Sequence, residues 1–237
     1  MDVERYVVAI RTLGTPIEAE AKALAADLGT TAYEERLTLV AGLPAIVLAT
    51  TDVAAAQALV AKLRTRGHRA LLCRVADVVR ATEMIQMRHF ELAPEGLESG
   101  AERLRWAELS TLVRARHKRV RSTTEIVKQK KFDATRAILT GGLIMRKTEK
   151  REVSSTTEEV EQVLYLFAGG RTPWILCEQT TNYSALGAAL TPIASRNFAV
   201  VVDKLRERAP HAVFDDSLIR RPAIEDVDLY AHLVASR

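Results

Sequence analysis

Residues 113–131 read VRARHKRVRSTTEIVKQKK and carry eight Lys or Arg against one acid, Glu125. Such a run can meet phosphates or anionic lipid headgroups through charge-assisted contacts and counterion release. On an extended chain, residues two apart share a face, so Arg114, Arg116 and Lys118 project together, with Lys128 and Lys130 supplied by the strand that follows. Arg119, Arg121 and Lys131 complete the candidate polyanion contacts. Two features weaken that reading. No aromatic residue lies between Trp106 and Phe132, so bases would find no stacking platform. Glu149, Glu152, Glu158, Glu159 and Glu161 follow, and pairing with acidic strands would mute the positive field. A solvated, partly paired sheet is therefore preferred over a polyanion site.

The remaining chemistry-bearing residues form no familiar constellation. Gly141–Gly142 lacks the spacing of a phosphate-binding loop and reads as a helix stop. The apolar residues around it, Ile138, Leu139, Leu143, Ile144 and Met145, read as core rather than as a docking ridge. The histidines at 68, 89, 117, 211 and 232 show no metal-ligand spacing, and neither Cys73 nor Cys177 belongs to a CxxC pair. Each cysteine sits in an apolar run and reads as an inert buried thiol. Asp215–Asp216 reads as a turn or cap, because adjacent carboxylates diverge on extended chain. No nucleophile motif or paired-carboxylate arrangement is found, so no catalytic, cofactor-binding or metal residue is assigned and no cofactor is expected.

The totals set the frame for these residues. A chain of 237 residues, 48% apolar and 27% charged, suits a globular protein of two domains. The net charge of +4 permits polyanion binding without arguing for it. The start, MDVERYVVAI, is not a signal peptide, and the longest uncharged apolar run, 37–51, is too short to span a bilayer. The expected location is cytoplasmic, with no integral membrane segment.

The elements that must position any site read as α+β. RYVVAIRTL is a strand. A helix follows from Thr15 as cap and Pro16 to Gly29. TTAYEERLTLVAG and PAIVLATT read as strands. Asp52 caps a second helix that ends at Gly67, and HRALLCRV closes the set. The order β-α-β-β-α-β predicts a ferredoxin-like sandwich over 1–80. Residues 81–237 read mainly as antiparallel strands with a helix over about 191–209, opened by Thr191 and Pro192, and a surface tail from 211. A short helix capped by Asp133 is also expected.

HFELAPEGLES as a first hairpin, LRWAELSTLVRAR with Trp106 in a strand, the turn AGGRTPW and the closing helix RNFAVVVDKLRERAP together resemble the bacterial pleckstrin-homology-like domains over roughly 85–210. The segment 120–160 departs from that plan, being too long for a simple hairpin. The resemblance implies a binding or assembly module, with lipids, peptides and self-assembly all open to the fold. The leading expectation is a non-enzymatic binding or scaffold protein acting through protein–protein contacts, with a protein partner or a second copy of itself. The alternative is a peripheral binder of anionic membrane or nucleic acid through 114–131. A third reading is an enzyme whose site assembles from residues far apart in sequence.

Overall fold

A computed structural model describes residues 4–132, 146–221 and 224–236, with side chains placed outside 118–159. The chain divides into two compact units, 1–117 with 162–237, and 118–161. Helices and strands are mixed and the sheets are open, so the class is α+β.

The first unit begins with strand β1 (Tyr6–Thr12). Helix α1 (Ile17–Leu28) follows and stops at Gly29, which adopts the left-handed conformation at φ 70° that a side chain disfavours. Next come α2 (Ala32–Val40), β2 (Ala45–Thr50), α3 (Val53–Thr65) and β3 (Arg69–Arg74). Asp52 caps α3 as expected, accepting from the backbone N–H groups of Ala54 and Ala55. The strand expected over 30–42, and with it the four-stranded ferredoxin-like sheet, is corrected: this segment is helix α2. The order is therefore β-α-α-β-α-β, and the sheet has three strands, β2-β1-β3, with β1 antiparallel to both neighbours. Helix wins because Thr31 and Glu34 close a reciprocal capping box, satisfying two orphan N–H groups that a strand start would leave to water.

One face of this sheet, with Val8, Ile10, Val47 and Ala70, packs on Leu24, Leu39, Leu59 and Leu63 of the three helices. The approach of α3's end to α1's start is close. A Cβ on Gly14 would stand 2.3 Å from the Gly67 carbonyl oxygen, so only glycine fits.

A second sheet of five strands runs β11-β8-β9-β10-β4. Its members are β4 (Ile85–Gln86), β8 (Leu109–Phe132), β9 (Arg146–Ala168), β10 (Trp174–Cys177) and β11 (Val213–Asp215). A small third sheet joins β5 (Glu91–Leu92), β6 (Gly96–Ser99) and β7 (Glu102–Arg105), with the expected hairpin turn between β5 and β6. Trp106 lies in a single 3-10 turn after β7 rather than in a strand, and its indole N–H donates to the carbonyls of Ala93 and Pro94.

Over 163–167 of β9 the side chains alternate, and both faces are covered. Leu164 and Leu166 join Trp174 and helix α4 (Ala194–Arg208), which contributes Phe198, Val201, Val202 and Leu205. Thr191 does not cap α4. Its N–H and hydroxyl donate to Asn197 Oδ1, and the Asn197 amide donates back to the Thr191 carbonyl.

The other face of β9, Val163, Tyr165 and Phe167, meets helix α5 (Val227–Ala235) through Val227, Ala231 and Val234. The opposite side of α5, Leu229 and Leu233, packs on Val7 and Ala9 of β1. The expectation of a surface tail is thus corrected: α5 is buried between two sheets, because it is apolar around most of its circumference. The helix expected at Asp133 and the Gly141–Gly142 stop lie outside the described residues.

Candidate functional site

The alternation read from the basic run holds where side chains are described. Val113 and Ala115 are buried on the face toward α5, whereas Arg116 is exposed and Arg114 half-buried on the other face. Arg114 is engaged: its Nε donates to Gln162 Oε1 at 3.1 Å and its guanidinium lies over the Phe198 ring, 5.5 Å from the centroid. The side chains of Lys118, Arg119, Arg121, Lys128, Lys130 and Lys131 lie outside the described residues.

Where the run begins, His117 joins a polar cluster that the sequence left unassigned. The Tyr165 hydroxyl donates to Asp228 Oδ1 at 2.7 Å, and His117 Nε2 stands 2.5 Å from the same hydroxyl oxygen. A phenol has one proton to give, so His117 donates from Nε2. Asp228 Oδ2 accepts the Ala81 N–H at 2.9 Å, and His232, one turn on, reaches the Val79 carbonyl at 3.2 Å. Arg80 pairs with Asp226 at 2.7 Å. Two side chains of α5 and its capping residue Asp226 therefore bind the chain at 79–81, the segment that links the first three-stranded sheet to the rest.

Burial pushes the Asp228 carboxyl up, but the His117 ring 3.6 Å away and the bonds from Ala81 and Tyr165 outweigh it and hold its pKa at about 2. Burial, followed by the Asp228 charge, raises the Tyr165 phenol far above its ordinary range. Burial likewise lowers His232, against the opposing pull of its bond to Val79. Asp228 and His232 thus bond the backbone of 79–81, and Tyr165 bonds Asp228. The cluster works as a clamp.

A second polar cluster lies among α1, α3 and β3. His68 Nδ1 accepts the Gly14 N–H at 2.9 Å, so its proton sits on Nε2 and is donated to Glu20 at 2.5 Å. Arg66 forks onto Glu20 and reaches Asp27 at 2.8 Å, and Lys62 also meets Asp27. The charges are mutually satisfied. Among the described residues no group of three or more His, Cys, Asp and Glu could hold a metal ion. Asp215 serves a turn, as expected, accepting from the Ser217 N–H and hydroxyl. Both thiols are half-buried rather than sealed, and burial raises that of Cys73.

Thr15, expected to cap α1, does not: its hydroxyl is buried without a hydrogen-bond partner among the described residues, and the helix starts after Pro16. On α2, Glu35 and Leu39 face inward, while Tyr33, Leu37 and Val40 are 67%, 50% and 57% exposed. The spacing i, i+4, i+7 makes them one stripe on the outer face. Ala41, the next residue, lines a cleft of about 480 Å3 whose walls are Ile46, Ile224, Leu229 and Tyr230, with Arg221, Glu225 and Asp226 as its charged members. Reading 30–42 as a strand hid this stripe, since alternation sends Tyr33 and Val40 to opposite faces. The Thr-x-x-Glu capping box at 31–34 was the signal that could have exposed it.

No protein-family model, curated protein or solved structure matches the chain. Among the described residues, no helix is long and apolar enough to cross a membrane.

Proposed function

We propose that the chain is a non-enzymatic binding protein that works through protein–protein contact, with the outer face of α2 as its contact surface. The observation that supports this is the stripe of Tyr33, Leu37 and Val40, three large apolar side chains left outside while α2 buries a glutamate. Single exposed apolar residues are ordinary; three aligned on one helix face, leading into an apolar cleft, fit a partner's surface. A pleckstrin-homology-like plan for the second half suits the same reading, since such folds serve as binding modules. Two cysteines with no CxxC pair fit a reducing, cytoplasmic setting. No described contact favours the polyanion alternative, because Arg114 is committed to Gln162 and Phe198.

The test is a photo-crosslinking residue in place of Leu37, with the chain expressed in its own cells. A discrete protein adduct that disappears on Val40→Asp is the expected result. The absence of any adduct from this face, or turnover of a metabolite by the purified chain, would overturn the reading.

A further inference from the structure

We propose that the cleft at the end of α2 docks a segment of a partner protein carrying a carboxylate beside a bulky apolar side chain. This rests on the protein-binding reading above and names the chemistry of the partner. Arg221 carries the argument. Its guanidinium lies over the Tyr230 ring, 4.5 Å from the centroid, and one Nη donates to the Pro44 carbonyl at 2.7 Å. These two contacts fix the plane of a half-buried cation. Yet among the described residues no carboxylate lies within ion-pair distance of it. Arg66, Arg80 and Arg105 meet carboxylates, whereas Arg64 and Arg114 are held by neutral acceptors; of these only Arg221 lines the cleft.

A guanidinium has five N–H donors, and the Pro44 carbonyl engages one of them. The remaining fork matches a carboxylate, and its surroundings select what that carboxylate is attached to. Ile46, Leu229 and Tyr230 offer apolar wall. Asp226 is occupied by Arg80 and by the Leu229 N–H that it caps. Glu225, exposed at the cleft, opposes every anion there, so a single carboxylate seated on Arg221 is repelled less than a densely charged anion such as a nucleic acid.

The occupant is a protein segment because the cleft does not end at its own walls. From Tyr33 to Ala41 the stripe runs about 12 Å at the helical rise, the span of roughly two turns of a partner helix. A second copy of α2 would bring only Glu34 and Glu35, which Thr31 and Thr30 already engage, so the carboxylate that Arg221 lacks comes from a different protein.

Random linear peptides displayed on phage, selected on the intact immobilised chain, provide the probe. The enriched clones are expected to share an Asp or Glu within a few positions of a bulky apolar residue. The best of them, synthesised, should lose about tenfold in affinity when its acid becomes Gln, and by a similar factor on Arg221→Gln. The exposed neighbour Arg220→Gln should leave affinity unchanged. If Arg221→Gln fails to fold, the paired peptides on the unaltered chain still decide. Enriched peptides without an acid, or indifferent to Arg221→Gln in a folded variant, overturn the inference. If such peptides still require Leu37, the protein-binding reading survives. A selection that enriches nothing removes both.

Discussion

Glu20 is 1% exposed, yet two side chains, Arg66 and His68, hydrogen-bond its carboxylate. Breaking a buried ion pair from one side leaves the other charge desolvated, which costs roughly 3–5 kcal/mol. Arg66 keeps Asp27, so Glu20→Gln should destabilise by about 3 kcal/mol, the low end of that range, read as a lower urea midpoint with an unchanged slope. Asp228 gives a pH signature. Its carboxyl is held at about 2 in the folded chain against about 3.9 when unfolded, so the unfolded chain takes up the proton first. The stability it contributes is complete above that unfolded value and declines as pH falls toward 2. Asp228→Asn should flatten the acid limb of a plot of melting temperature against pH between 4 and 2, as checked by thermal melts. Neither cluster could be read from sequence, because Glu20 with His68, and His117 with Asp228, lie far apart along the chain. Arg114 illustrates the complementary case: alternation correctly set it opposite Val113 and Ala115, but only packing shows that Phe198 and Gln162 already occupy it.

At the level of elements, α1, β2, α3, β3 and α4 were legible from period and punctuation, and α2 was not. Its residues mix β-branched and aromatic types with a helical cap, and the local cap decided the outcome over strand propensity. The hydroxyl of Thr31 accepts the Glu34 N–H at 3.2 Å, and Glu34 accepts the Thr31 N–H at 3.0 Å. Thr31→Ala should therefore cost about 1 kcal/mol in chemical denaturation, the usual loss for a cap. It should also weaken crosslinking through position 37, since the stripe exists only while α2 is helical. The cleft was illegible for a different reason: its walls come from residues near 41–46 and near 221–230, brought together by tertiary packing alone.

The first unit as a whole depends on α5. Leu229 and Leu233 face the three-stranded sheet while Val227, Ala231 and Val234 face the five-stranded one, so a single helix of nine residues completes two cores. A core Leu→Ala substitution costs roughly 2–5 kcal/mol. Leu233→Ala, at a fully buried position, should cost about 3 kcal/mol and lower one cooperative transition rather than split it, as seen by calorimetry. The sequence DVDLYAHLVA carried the clue, because a helix apolar around most of its circumference has no face to give to water. Its brevity and its place after an irregular stretch made it look like tail. The bond from Arg11 to Ser236 joins residues 225 positions apart. At about 5–20 residues per second, a ribosome makes β1 roughly 10–45 s before it makes the helix that covers Val7 and Ala9. For that interval Val7 and Ala9 lack the helix that covers them, so the apolar face they form is open to other chains only before synthesis ends.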